Sequence, residues 1–272
     1  MKPNPPINPT TKKPAAFTLV ELLVIISVVA LLSSLLLPAL AGTKSNSKMF
    51  HCENNLRQMA KAFILYAADN NDRIVPYQTG GGFWGAPASP FGAALTAPQA
   101  LAIIQGRLRT NNLLYSYAPN PAVFHCPADT RMKLRPGSGW AYDSYSKTQN
   151  VGGDNYWGAT YTNLTAIQTP SETFCFIEDA DERGYNLGTW VVQWNAGSRN
   201  FQWVDPPALF HGSAASVALT DGSVQTHQWQ NPALVNAGLA AARGQRPDVA
   251  AAPLSGADYE FVRNGYRFPG WK

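Results

Sequence analysis

The chain has 272 residues, of which 45% are hydrophobic and 14% charged, enough apolar material for one sizeable core or two small ones. Eight Trp, 11 Tyr, 12 Phe, 22 Gly and 21 Pro argue against a helical bundle and for a loop-rich β or α+β domain. The formal charge of +4 sits mostly at the start. Lys2, Lys12 and Lys13 precede residue 17 without an acid, and the remainder holds 18 basic residues (21 less 3) against 17 acidic. No dense basic face is left to bind nucleic acid.

Residues 1–14, MKPNPPINPTTKKP, carry five prolines and no apolar periodicity. They read as a positively charged, disordered leader. An uncharged run follows from Leu22 to Ala41, about 30 Å long as a helix and matched to a bilayer core. Lysines ahead of it predict a cytoplasmic N-terminus and an exported remainder. A secretory signal has a shorter apolar region, about 7–15 residues, ending in a small-residue cleavage site. A plain anchor explains the length but gives Glu21, at the leading edge, no task, and a carboxylate there is costly in lipid.

The stretch AFTLVELLVIISVVALLSSLLLP, Ala16 to Pro38, resembles the N-terminus of type IV pilins and type II secretion pseudopilins. The resemblance implies cleavage by a prepilin peptidase between Ala16 and Phe17 and methylation of the new Phe17 amine. It makes Glu21 the fifth residue of the mature chain and Pro38 a helix-kinking proline. The family usually has Gly before the cut, where this chain has Ala16. In a filament of side-by-side helices, Glu21 of one subunit would pair with the Phe17 ammonium of its neighbour. Each charge then offsets the other's desolvation, and the pair sets register more than stability.

Leu56, Met59, Ala60, Phe63, Ile64 and Ala67 recur at helical spacing on one face. The change from all-round apolar to one-faced apolar predicts one helix from about Phe17 to Asp69, bent near Pro38. DNNDRIVPY then stops it with turn formers and a proline. The expected division is a leader at 1–16, a transmembrane and assembly segment at 17–41, its amphipathic continuation at 42–70 and a globular head at 71–272.

Within the head, 78–98 is a Gly/Pro-rich loop and PQALAIIQGRLR a short helix. SETFCFIED, Ser171 to Asp179, reads as a buried strand with GTWVVQWN, Gly188 to Asn195, as its partner. SVALTDGSVQTHQW reads as a hairpin with Asp221-Gly222 as a two-residue turn. That register sets Leu219 against Val224 and Val217 against Thr226. Nine residues separate His211 from Asp221-Gly222, which resembles an H-x9-D-G element of pilin-like proteins with expanded heads. The helix sequence CENNLRQMAKAFILYAADN and the loop FHCPAD resemble the same subgroup.

Cys52, Cys126 and Cys175 allow three single pairings in an oxidising compartment. Cys175 lies in the expected core strand, where a buried free thiol is common, so Cys52–Cys126 is the favoured bridge and three reduced thiols the other reading. The pairs His51-Cys52 and His125-Cys126 do not suit zinc, because neighbouring side chains diverge and zinc ligands are usually spaced by two or more residues. His211, Asp221 and His227 lack an accompanying nucleophile motif, and the turn accounts for Asp221. By resemblance to one class of pseudopilins, calcium is a weak possibility at Glu178, Asp179 and Asp181, without EF-hand spacing. Phe83, Trp84, Trp140, Tyr142, Tyr145, Tyr156 and Trp157 either pack long loops onto the head or stack on sugars or on a partner subunit.

These readings predict an α+β fold: a long N-terminal helix, transmembrane then amphipathic, on a small antiparallel-sheet head with long loops. The expected role is non-enzymatic, a pilin-like subunit of a pilus-like or secretion pseudopilus filament. Its expected partners are the prepilin peptidase and methylase, other pilin-like subunits, an inner-membrane assembly platform and the lipid bilayer. The expected location is the bacterial inner membrane, single-pass, with the head in the periplasm or on an extracellular filament. The alternative is a membrane-anchored, exported surface protein whose aromatic-rich head binds a polysaccharide or other partner.

Overall fold

The structure is a computed structural model that describes residues 18–79, 82–83, 95–153, 158–180, 189–195, 197–198 and 200–270, apart from the side chains of 35–46, 78–79 and 82–83. It divides into two compact units, Met1–Ser45 and Asn46–Lys272. Helix α1 (Leu19–Asp69) begins in the first and ends in the second. The expected leader, the Ala16–Phe17 cut and the side chain of Pro38 lie outside the described residues.

The start of α1 is fixed by a capping box. The Glu21 N–H donates to Thr18 Oγ1 at 3.2 Å, and the Thr18 N–H and hydroxyl donate back to Glu21 Oε2 at 2.8 and 2.7 Å. Beyond it the apolar side chains are exposed, from Leu19 at 80% to Leu32 at 54%. Among the described residues no helix is long and apolar enough to cross a membrane. The expected transmembrane segment at 17–41 is corrected on that ground. The expected single-pass inner-membrane location falls with it.

In the second unit, α1 buries Cys52, Leu56, Met59, Ala60, Phe63 and Ala67, the face its periodicity predicts. Asn71 and Asp72 then take left-handed backbone (φ 56° and 66°), a conformation their short polar side chains tolerate. Strands β1 (Gln78–Thr79) and β2 (Gly82–Phe83) pair with each other, and α2 (Ala97–Asn111) follows. Next come β3 (Tyr145–Thr148), β4 (Phe174–Glu178), β5 (Thr189–Trp190), β6 (Val192–Asn195), β7 (Asn200–Trp203), β8 (Ala214–Leu219), β9 (Val224–Gln228), α3 (Pro232–Ala242) and α4 (Ala257–Gly265).

The fold is α+β, with a five-stranded central sheet ordered β5-β3-β4-β8-β9. It is mixed rather than purely antiparallel, because β5 lies parallel to β3. The expected partnership of β4 with 188–195 is also corrected. β4 pairs with β3 and β8, while β6 leaves the sheet to form its own hairpin with β7. The burial of β4 on both faces calls for two long neighbours, which β5 is too short to supply.

The hairpin register differs from expectation by one residue. Ala218 opposes Val224 and Ser216 opposes Thr226. Gly222 is the cause. Its N–H bonds to Leu219 O at 2.9 Å, its φ is 91°, and the Leu219 N–H bonds to Ser223 O. The turn therefore has three residues and ends in a glycine bulge. Asp221 supports it by accepting from the Ser223 N–H and hydroxyl at 2.9 and 2.6 Å.

Each face of the central sheet carries a core. One joins α1 and α2 to Tyr145, Phe176 and Ala218. The other joins α3, α4 and the β6–β7 hairpin to Ile177, Val217 and Leu219.

Candidate functional site

The head gathers its chemistry where α1, the 125–131 loop, the end of β4 and the turn before β8 converge. Asn55 on α1 anchors the loop by donating to His125 O at 3.0 Å. One turn earlier Cys52 is joined to Cys126 by a disulfide, with Cα atoms 5.3 Å apart. Asp129 holds the rest of the loop: its carboxylate accepts from Arg131 Nη2 at 2.8 Å and from the Ser144 hydroxyl at 2.7 Å, all buried. Ser144 Oγ in turn accepts from the Cys126 N–H at 3.0 Å. Arg131 Nη2 also donates to Asp143 O, and its guanidinium lies over the Phe210 ring, 5.4 Å from the centroid.

That arrangement puts His211 on the sulfur. His211 Nε2 lies 3.3 Å from Cys126 Sγ and 3.4 Å from Glu178 Oε1. Cys52, Cys126, Glu178 and His211 each point one donor atom into a space where all four lie within 4.8 Å of one another. Neither Glu178 oxygen makes a hydrogen bond of good geometry, and His211 Nδ1 is likewise unpartnered. Burial pushes the Glu178 carboxyl above the ordinary carboxylate range, while His211 and the Ser216 backbone N–H pull it partly back.

The other expected site residues separate. Of the H-x9-D-G element, His211 goes to the sulfur cluster, whereas Asp221 and Gly222 build the β8–β9 turn. Of the acidic stretch, Glu178 turns into the cluster and Asp179 accepts from the Ala180 N–H. Asp181 lies outside the described residues, and among the described residues Asp179 does not join Glu178 in the cluster. His51 is exposed, and His125 stacks on Tyr142 with its Nδ1 on Tyr142 O at 2.7 Å. Neither adjacent histidine joins its cysteine. Trp140, Tyr142 and Tyr145 are core residues, which removes them from any sugar-stacking surface. Trp84, Tyr156, Trp157 and the side chain of Phe83 are not among the described residues.

His227 belongs to a second polar contact with no sequence signal. Its Nε2 lies 2.8 Å from Asp258 Oδ1, and its ring stacks on Phe261 at 3.9 Å. Asp258 also accepts from the Gln230 and Asn231 N–H groups, tying α4 to the entry of α3.

The N-terminal unit holds the assembly candidates. Glu21 has no ionic partner among the described residues, and its two bonds from Thr18 hold its carboxyl below the ordinary range. No family model matches the chain, and comparisons with curated proteins and with solved structures give no match either.

Proposed function

We propose that the chain is a pilin-like structural subunit, cut between Ala16 and Phe17 by a prepilin peptidase and assembled into a filament of packed N-terminal helices. The observation that carries this reading is the row of exposed apolar side chains from Leu19 to Leu32, interrupted by one carboxylate, Glu21. A continuous exposed apolar surface demands a partner, and helices of the same kind bury it side by side. Its action is assembly rather than catalysis, and its partners are the peptidase, sister subunits and the machinery that extends the filament.

Glu21 has two tasks in this reading. In the free subunit it closes the Thr18 capping box. In the filament it faces the Phe17 ammonium of a neighbour. Glu21→Gln separates the two, because glutamine preserves a capping box but carries no charge. The expected result is normal helix content and loss of pelletable filaments, with Glu21→Ala losing both. Filaments at the level of the unaltered chain in Glu21→Gln would end the ion-pair reading. Mass spectrometry of the mature chain tests the processing step. A methylated Phe17 terminus supports it, and an intact leader or a cut after Ala41 overturns the proposal.

A further inference from the structure

The Cys52–Cys126 bridge explains two of the four donors gathered in the head. It leaves Glu178 without a reason to be buried. A fully buried carboxyl group with no well-formed hydrogen bond is costly, and the His211 imidazole, 3.4 Å away, does not supply one. A dication at the centre of the four donors would satisfy the carboxylate and bring the imidazole into use at the same time.

We propose that the reduced head binds one zinc ion through Cys52 Sγ, Cys126 Sγ, His211 Nε2 and Glu178, so that the disulfide and the metal are alternative states of one site. The donor set selects the ion. Two thiolates and an imidazole favour zinc over calcium or magnesium. The spacing fits, because tetrahedral zinc with Zn–S of about 2.3 Å and Zn–N and Zn–O of about 2.0–2.1 Å holds its donors about 3.3–3.8 Å apart. The 3.3 Å and 3.4 Å contacts of His211 already approach that range. Donor pairs as much as 4.8 Å apart have to close by up to about 1 Å, and the two sulfurs have to separate from a bonded distance of about 2.05 Å to about 3.8 Å. Side-chain rotation of two cysteines whose Cα atoms are 5.3 Å apart covers that distance.

The surrounding chain is arranged for a thiolate. The Ala128 N–H donates to Cys126 Sγ at 3.4 Å, a bond that strengthens when the sulfur carries charge. All four ligands come from protein, and three are fully buried, the pattern of a structural rather than a catalytic zinc site. The conversion balances. A dithiol reductant gives two electrons and two protons to the bridge and leaves as its own disulfide, and Zn2+ then displaces both thiol protons. The resulting site has two thiolates, a neutral imidazole and a carboxylate around the dication.

The full chain tests this with Co2+ as the spectroscopic probe and Zn2+ as its competitor. Chain reduced by a phosphine and freed of metal is expected to take up one Co2+ with the visible bands of a tetrahedral thiolate site. Zn2+ should bleach those bands, and chain with the bridge intact should show none. Glu178→Gln and His211→Ala are each expected to weaken binding at least tenfold, while Cys175→Ser leaves it unchanged. Because a buried substitution can unfold the head, the unaltered chain carries the decisive comparison. If reduction itself unfolds it, Zn2+ at one equivalent must restore its circular dichroism. No stoichiometric uptake by the reduced chain, equal uptake by the bridged chain, or failure of zinc to restore an unfolded reduced chain each overturns the proposal.

Discussion

Reducing the Cys52–Cys126 bridge while a chelator keeps metal away should lower the stability of the head by about 4.5 kcal/mol. The cysteines are 74 residues apart. Closing a loop of that size removes about 15 cal/mol/K from the unfolded chain, or about 4.5 kcal/mol at 25 °C. Reduction leaves both sulfur atoms in place, so packing changes little and the loop term dominates. For a unit this large the urea dependence lies near the top of the usual range, about 3 kcal/mol/M, so the unfolding midpoint should fall by about 1.5 M. Tryptophan fluorescence is a suitable monitor, since Trp140, Trp190 and Trp229 are buried. A midpoint that moves by less than about 0.3 M would refute the reasoning. It would mean that the unfolded chain already holds these segments together, or that the bridge does not form.

Three other outcomes can be checked on the same chain. Arg131→Ala strands the buried Asp129 carboxylate and should cost about 3–5 kcal/mol in urea unfolding. Adding Asp129→Asn should recover part of that loss, and a single-variant loss below about 1 kcal/mol would contradict the buried-pair account. Gly265→Ala would set a Cβ 2.0 Å from the Phe174 ring. A loss of about 1–3 kcal/mol is expected by overpacking, whereas Gly106→Ala, with open space around it, should gain about 0.5–1 kcal/mol in its helix. Burial pushes the Cys175 thiol well above its ordinary range, so the bridged native chain should resist alkylation and show one reactive thiol after denaturation. Rapid labelling of the native chain would place Cys175 at the surface.

What the sequence made legible was local. The apolar spacing of Leu56, Met59, Ala60 and Phe63 announced the buried face of α1, and Asp221-Gly222 announced a turn. The register failed by one residue because positive φ at Gly222 serves a two-residue turn and a three-residue bulged turn equally well, and composition cannot separate them. The mixed sheet was hidden because β5 is two residues long and its pairing with β3 is set by tertiary contact. The cluster was half legible. Cys52 and Cys126 stand out as a pair, but the histidines beside them in sequence, His51 and His125, are not the ones that join it. The histidine that arrives lies 85 residues from Cys126, and in the sequence Glu178 is indistinguishable from its acidic neighbours. Convergence of four separate segments leaves no short-range pattern. Asp258, which meets His227 from 31 residues away, was invisible for the same reason.

The central sheet lies between two cores, and neighbouring residues of β4 and β8 serve different ones. Phe176 and Ala218 face one side, Ile177 and Val217 the other. Neither core can come apart without unzipping strands that the other needs. Residues 46–272 should therefore melt in one transition, with equal calorimetric and van't Hoff enthalpies. A partly folded form that keeps the α1–α2 side while shedding α3 and α4 has no stable place on this architecture.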